Sequence, residues 1–219
     1  MKRYSIIQNA KNLAITCAFV AIPSFMHAGT VPAQLPPPPE RELAFSKGQL
    51  ELETLLGVFY SINSGDEFAE PDLNYGLVSV RLGKMLNDPS GDGIFRGNFE
   101  LMVGLFGGGI YEGPGDYLAG AELGLRYNFI QPSATVVPFI QLGGGGVYSD
   151  AAGDDRVQRL IGSDWSFQLH GALGIRWMLS ERCAFTTAVQ YLHVSNAGTE
   201  ERNQGLDSLG GLVGFSWFF

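Results

Sequence analysis

The chain has 219 residues, of which 30 are glycine, 12% are aromatic and only 16% are charged. Few charges and many glycines are unusual in a soluble protein and suit a membrane β-barrel better. After the N-terminal region there is no run of about 18 uncharged apolar residues, the length that a membrane-spanning helix needs. The composition therefore argues against helical membrane spans.

The first 28 residues have the features of a secretory signal peptide. Basic residues at the start precede an apolar stretch from Leu13 to Phe25, and Met26-His27-Ala28 is a suitable cleavage site. A single helical anchor fits less well, because the apolar stretch is short and Pro23 interrupts it. We therefore predict a signal peptide at residues 1–28 that is cleaved after Ala28.

Removal of this segment leaves an acidic chain. The segment contains three of the 14 basic residues and none of the 22 acidic ones, so 11 basic residues remain against 22 acidic residues, a formal charge of −11. We expect no nucleic-acid partner, because binding phosphates requires a basic surface. Cys183 is then the one remaining cysteine, and a lone cysteine makes no intrachain disulfide and no metal cluster.

Residues 29–47 contain a proline-rich stretch that ends with Pro36 to Pro39. Proline has no N–H to give to a β-ladder, so this segment is predicted to be an extended periplasmic leader. From residue 48 to residue 219 the sequence alternates between apolar and polar residues with a period of two. That alternation, with turn residues between the segments, predicts strands of about ten residues.

The alternation predicts eight strands that each have two different faces. In the clearest strand Trp165, Phe167 and Leu173 share one face, and His170 and Arg176 share the other. The predicted strand windows are 48–62, 72–86, 95–110, 117–129, 135–149, 161–179, 182–197 and 206–219.

A soluble β-sandwich would show the same alternation, with its apolar face turned inward. The C-terminus favours a membrane barrel instead. Val213, Phe215 and Trp217 lie on one face, and the chain ends on the aromatic Phe219, as the last strand of bacterial outer-membrane barrels does. We therefore predict an all-β fold, an eight-stranded antiparallel transmembrane β-barrel of the bacterial outer membrane.

Charged strand residues then face the barrel interior. Side chains fill an eight-stranded barrel, so we expect packed ion pairs rather than a transport channel. The residues in question are Glu51, Glu53, Glu100, Glu122, Arg126 and Arg176. His170 also points inward and is predicted to be a hydrogen-bonded interior residue. An even strand number puts both termini on the periplasmic side, so loops near 63–71, 111–116, 150–160 and 198–205 face outward.

Polar residues cluster where the last two strands meet. The chain there reads Tyr191-Leu192-His193-Val194-Ser195-Asn196-Ala197-Gly198 and continues to Asp207. A His-x-Ser-Asn-Ala-Gly segment with an acidic residue in the next strand resembles the lipid A 3-O-deacylase family of outer-membrane barrels. The resemblance covers the layout of the whole barrel, but its motif is confined to residues 191–207.

The spacing of these residues also has a physical meaning. Residues two apart on a strand project from one face, so His193 and Ser195 can contact each other or one substrate. Counting by twos along the strands puts both of them and Asp207 on the lipid-facing side. Polar groups are costly there unless they lie near the interface or have a function. The alternative is that the three are interfacial polar residues without a catalytic role. Their occurrence together at motif spacing favours catalysis.

The resemblance implies a role for each of the three residues. Ser195 would be the nucleophile, His193 the general base and Asp207 the acid that orients the imidazole. The family has glutamate at the last position, where this sequence has the shorter aspartate. Glu200 or Glu201 in the loop is therefore an alternative source of the acid.

Further motif positions are candidates for stabilising an oxyanion, namely Asn196, Gly198 and Asn203. The implied reaction is hydrolysis of the 3-linked hydroxyacyl ester of lipid A, with lipopolysaccharide of the outer leaflet as partner and with no metal or other cofactor. A non-catalytic small barrel, serving adhesion or envelope structure, is the main alternative. A palmitoyl transferase or small hydrophobic channel would need an interior pocket that opens laterally.

Overall fold

The computed structural model describes residues 40–62, 73–152, 162–201, 203 and 205–219. The predicted signal peptide, the proline-rich part of the predicted leader, the whole predicted loop at 63–71 and most of the predicted loop at 150–160 lie outside the described residues. Within the described part, no helix is long and apolar enough to cross a membrane.

Eight antiparallel strands form a closed barrel in which every strand pairs with its sequence neighbours and the last strand pairs with the first. The strands are β1 (Leu50–Ser61), β2 (Asn74–Met85), β3 (Gly97–Glu112), β4 (Tyr117–Phe129), β5 (Val136–Ser149), β6 (Trp165–Met178), β7 (Cys183–Ser195) and β8 (Leu206–Phe218). The eight predicted windows are confirmed to within a few residues. The main differences are that β3 continues to Glu112, which shortens the loop predicted at 111–116, and that β6 begins at Trp165.

The two faces of each strand differ as the alternation predicts. On β1 the side chains of Leu56 and Tyr60 are exposed, whereas Glu51 and Glu53 are fully buried. The same alternation of exposed apolar and buried polar residues continues along β6 and β8. A closed barrel with its apolar side chains outside is a transmembrane arrangement, and the sandwich alternative is therefore wrong.

Two groups of outward-facing aromatic residues encircle parts of the barrel near its two ends. At the end that carries the chain termini, hereafter the terminal end, rings contact one another in the pairs Phe99–Tyr127, Tyr127–Phe129, Trp177–Phe185, Phe185–Phe215 and Phe215–Trp217. At the opposite end, the loop end, the pairs are Tyr60–Tyr111, Tyr117–Tyr148 and Tyr148–Trp165. Such aromatic girdles mark the two membrane interfaces of a β-barrel.

Buried ion pairs fill the interior near the terminal end, as predicted. Arg126 Nη2 lies 2.7 Å from Glu53 Oε2, and Arg176 Nη2 contacts both Glu51 and, at 3.1 Å, Glu100 Oε2. The sixth predicted residue, Glu122, pairs with Arg81, whose Nε lies 2.5 Å from Glu122 Oε1. Arg81 is a member of this network that the sequence did not single out.

His170 is an interior residue, as predicted. It is 4% exposed, and its Nε2 lies 3.0 Å from the side-chain amide nitrogen of Gln141. Its Nδ1 lies 3.6 Å from a carboxylate oxygen of Glu122. The residue is thus part of the polar interior and lies on the opposite face of the strand from the lipid.

The interior near the loop end is apolar, a feature that the sequence analysis did not predict. Inward-facing residues of this half include Phe59, Tyr75, Leu192, Val194 and Leu206, which belong to one buried cluster. The charged residues are concentrated in the half nearer the termini because the inward positions of the strands change from charged to apolar along their length.

Residues 40–47, the end of the predicted leader, are folded rather than extended. A short helix, α1 (Glu40–Leu43), leads to Phe45, which is 1% exposed and belongs to a buried cluster at the terminal end. Asn98 Nδ2 donates to the carbonyl oxygen of Phe45 at 2.5 Å, and Arg176 lies over the phenyl ring, 5.8 Å from its centroid. The apolar residues that follow the prolines cover the terminal end of the interior.

Replacing Arg126 by methionine is expected to lower the free energy of unfolding by about 3 kcal/mol, because the buried carboxylate of Glu53 would lose its nearer arginine and keep only Arg81, at 3.5 Å. Urea unfolding in detergent micelles, followed by tryptophan fluorescence, measures this change. Lys84→Met is the control, since Lys84 is exposed and should change stability by about 0.5 kcal/mol or less. Equal losses in the two variants would contradict a structural role for the network.

Candidate active site

The candidate site lies at the loop end, where β7 ends and β8 begins. Across the β7–β8 ladder, His193 stands directly opposite Asp207, and Ser195 lies two residues further along β7 on the same outward face. On the other side of β7, Ser195 stands opposite Phe167 of β6. Opposed residues in an antiparallel pair have neighbouring side chains, so the ladder itself brings the acid to the histidine.

His193 and Asp207 form a hydrogen-bonded pair. The distance from His193 Nδ1 to Asp207 Oδ1 is 2.7 Å, and each side chain is 35% exposed on the outer surface of the barrel. The shorter side chain of aspartate thus reaches the imidazole. Glu200 and Glu201, the alternative acids, are exposed loop residues, and among the described contacts His193 pairs with Asp207 instead.

Tyr191 contributes a second hydrogen bond to this pair, which the sequence interpretation missed. Its hydroxyl donates to the same Oδ1 of Asp207 at 2.5 Å. Tyr191 lies two residues before His193, so counting by twos along β7 places it on the same face. The count by twos predicts the shared face, but it does not predict a contact between the tyrosine and the acid of the next strand.

Gly205, just before β8, lies under the imidazole and was also missed. A Cβ atom at this position would lie 2.9 Å from His193 Cε1, and the residue has φ of +83°. Glycine adopts such a conformation without the steric cost that other residues have. The position therefore favours glycine for two reasons: its backbone conformation and the space that His193 needs.

Ser195 is half-buried and faces an apolar surface. Its neighbours on the outward face of β6 are Trp165, Phe167 and Leu169, which are 69%, 58% and 65% exposed. Within the described part of the chain its hydroxyl makes no hydrogen bond to His193. Contacts between a nucleophile and its base often tighten only when substrate is bound, so this arrangement is compatible with a catalytic pair.

The three oxyanion candidates form one hydrogen-bonded loop. The N–H of Asn196 donates to Asn203 Oδ1 at 2.8 Å, and the N–H of Gly198 donates to Asn196 Oδ1 at 2.9 Å. Asn196 is 2% exposed, and the two residues that follow it, Ala197 and Gly198, have φ of +54° and +80°. Both backbone N–H groups have partners within the loop, and the side-chain amide nitrogen of Asn203 takes part in neither bond.

In the part of the chain that the structure describes, no three histidine, cysteine, aspartate or glutamate side chains are grouped as metal ligands. The arrangement that is present combines a serine, a histidine and an aspartate on one face of two adjacent strands. This combination has the residue types that acyl transfer by a serine nucleophile uses, and the contact between the acid and the histidine is present.

Comparison with protein families identifies the chain. The family described as lipid A 3-O-deacylase (PagL) matches residues 90–216, a range that contains all three residues of the candidate site. The chain belongs to the lipid A 3-O-deacylase family. This deacylase-family barrel is a protein of the bacterial outer membrane.

Solved structures similar to this deacylase-family chain are also small barrels. Neisserial surface protein A has 15% sequence identity and a TM-score of 0.54, with 79% of this chain and 100% of that protein covered. The outer-membrane enzyme PagL has 17% identity and a TM-score of 0.48, covering 74% of this chain and 98% of PagL. OprG from Pseudomonas aeruginosa has 17% identity and a TM-score of 0.46, covering 80% and 97%. No curated protein sequence matches the chain significantly. At 15% identity the similarity to Neisserial surface protein A supports the barrel fold alone.

Gly205→Ala is expected to displace the imidazole of His193, because the added methyl group would lie within 3 Å of Cε1 at the distance given above. Gly198→Ala is the matched control. It has a similar φ, so its backbone strain should be comparable, but a Cβ there has nothing within 4 Å. Side-chain ¹⁵N resonances of histidine in detergent micelles report the change. Similar His193 resonances in both variants would show that Gly205 provides no space for the ring.

Proposed function

We propose that this deacylase-family chain is an ester hydrolase that removes the 3-O-linked hydroxyacyl chain from lipid A of lipopolysaccharide. The observation that supports this proposal most strongly is the His193–Asp207 pair on the outward face of the barrel, beside Ser195. A polar cluster on a lipid-facing surface is costly, and its internal order matches that of a serine hydrolase.

Each residue would have one step in the reaction. The hydroxyl of Ser195 attacks the ester carbonyl carbon while His193 Nε2 takes its proton. Asp207, bonded to Nδ1, fixes the orientation of the ring and stabilises its positive charge. The bond from the carbonyl carbon to the sugar 3-oxygen then breaks, and His193 returns the proton to that oxygen. Water, activated by the same histidine, releases the hydroxy fatty acid and restores Ser195.

The position of the site explains how such an enzyme would meet its substrate. The site is at the loop end, which faces the outer leaflet when both termini are periplasmic. The reacting ester of a lipid lies near the boundary between head groups and acyl chains. An outward-facing site at this height can contact it without taking the lipid out of the membrane.

The apolar surface of β6 suits the acyl chain that would be cleaved. Phe167 is level with Ser195, Trp165 lies two residues nearer the loops, and Leu169 lies two residues nearer the membrane centre. A hydrocarbon chain lying against this surface would direct its ester carbonyl towards the serine. The lipid would therefore be oriented by the same strand that borders the nucleophile.

Stabilisation of the oxyanion is assigned to the 196–203 loop. Asn203 Oδ1 accepts the N–H of Asn196 and so orders this loop. The amide nitrogen of the same side chain is held in place by that bond and can serve as a donor. A donor directed at the developing negative charge contributes strongly to acyl transfer. We infer that Asn203 provides this donor, while Asn196 and Gly198 hold the loop in shape.

Ser195→Ala is the first test. Lipid A extracted from a Gram-negative host that produces the chain is expected to lose one 3-hydroxyacyl mass, and the alanine variant is expected to leave lipid A intact. Mass spectrometry of the extracted lipid makes the measurement. Ser180→Ala, a serine in the turn between β6 and β7 at the terminal end, is the control and should retain activity.

Folding must be checked in the same cells, through the shift in mobility of the unheated barrel on a denaturing gel. Unchanged lipid A in cells with a folded wild-type barrel would contradict the hydrolase proposal and favour a non-catalytic surface protein. Activity that survives in Ser195→Ala would keep the reaction but reject this serine as nucleophile.

Asn203→Asp separates the two roles of that residue. Aspartate keeps an oxygen that can accept the N–H of Asn196 but lacks the amide donor, whereas Asn203→Ala loses both. If the donor stabilises the oxyanion, both variants should lower kcat by about 100-fold. Near-normal kcat in Asn203→Asp, together with a loss in Asn203→Ala, would assign Asn203 to loop order alone.

A further inference from the structure

Asp207 accepts two hydrogen bonds on one oxygen. His193 Nδ1 lies 2.7 Å from Oδ1, and the hydroxyl of Tyr191 lies 2.5 Å from the same atom. The histidine and the tyrosine are two residues apart on β7, so they approach the carboxylate from neighbouring positions on one face. Asp207 is therefore bonded both to His193, the proposed base, and to Tyr191, which lies on the side away from the loop.

The register explains why the tyrosine can reach. Asp207 is directly opposite His193, and Tyr191 is opposite Leu209, so Tyr191 and Asp207 are diagonal neighbours across the ladder. Long aromatic side chains span such diagonals. The carboxylate of an aspartate can rotate about its side-chain bonds, and a bond to His193 alone leaves that rotation less restricted.

We propose that Tyr191 is a positioning residue that fixes Asp207, and through it the imidazole of His193, for the reaction. This inference rests on the proposed hydrolase function. The phenol does not act on the substrate, because its donor is directed to Asp207. Its effect is to favour the orientation in which Nδ1 faces the acid and Nε2 is left for Ser195.

A merely structural role makes different predictions. Tyr191 is 45% exposed at the loop end. In a purely structural role it would be an ordinary interfacial tyrosine whose hydroxyl needs a hydrogen-bond partner. Tyr117, on β4, is also 45% exposed at the same end of the barrel. Tyr117→Phe is therefore a matched control that removes a phenol hydroxyl from the same kind of surface, away from the site.

Kinetics on the purified barrel with lipid A in detergent micelles provide the first readout. Tyr191→Phe is expected to lower kcat about 10-fold with KM unchanged, the effect of losing roughly one hydrogen bond to a charged group. Tyr117→Phe should leave both constants unchanged. Equal kinetics for Tyr191→Phe and the wild type would overturn the inference.

A second pair of variants tests whether the effect passes through Asp207. In Asp207→Glu the carboxylate lies one methylene further from the strand and leaves the position that Tyr191 holds. Adding Tyr191→Phe to Asp207→Glu should then change kcat by less than about 2-fold, a non-additivity that marks coupled residues. The same loss in both backgrounds would show that Tyr191 acts independently of Asp207 and would overturn the inference.

Histidine NMR tests the inference without relying on activity. In the folded, ¹⁵N-histidine-labelled barrel, the His193 signals, assigned with His193→Gln, should indicate a proton on Nδ1, and Tyr191→Phe should shift protonation towards Nε2. This shift in a barrel that does not deacylate lipid A would support the positioning role while rejecting the proposed function. No shift, beside a wild-type enzyme that loses activity in Ser195→Ala, would retain the function and overturn the role of Tyr191.

Discussion

Closure of β8 on β1 is the constraint on which the rest of this structure depends. A closed ladder satisfies the backbone hydrogen bonds of all eight strands, which a lipid environment requires. It also fixes, for every strand, which alternate residues face lipid and which face the interior. A one-residue change of register would exchange the two sets. Because the register is fixed, the outward direction of His193, Ser195 and Asp207 is informative, since lipid-facing positions are normally apolar.

The interior gives the outer surface its rigidity. Arginine and glutamate side chains are paired near the terminal end, Phe45 covers that end, and an apolar cluster fills the half nearer the loops. The strands that bear the outward-facing site pack against this filled interior on their inner face. Both members of the His193–Asp207 pair stand within ladders, and only the 196–203 loop beside them depends on its own hydrogen bonds. Precise geometry is easier to maintain on strands than on loops.

Much of this architecture could be predicted from the sequence because a period of two is a strong signal when one face meets lipid. The strand windows, the inward acids, the interior His170 and the shared face of His193, Ser195 and Asp207 all follow from it. The position of Phe45 could not be predicted in this way, since a short segment after prolines has no period and its burial depends on the open end of a barrel formed by distant residues. The contacts of Tyr191 and Gly205 could not be predicted either, because they depend on the β7–β8 register, which turn length and bulges can change. The change from charged to apolar along the interior is also present in the sequence, because inward positions nearer the loops, such as Leu192 and Val194, are apolar.

The proposed mechanism depends on activation of Ser195 by the outward-facing His193–Asp207 pair. The most direct measurement is reaction of the folded, purified barrel with a long-chain alkyl fluorophosphonate, followed by peptide mass spectrometry. We expect one adduct on Ser195 in the wild-type protein, no adduct in His193→Gln, and strongly slowed labelling in Asp207→Asn. Absence of an adduct on Ser195, or labelling at an equal rate when His193 is replaced, would contradict this mechanism.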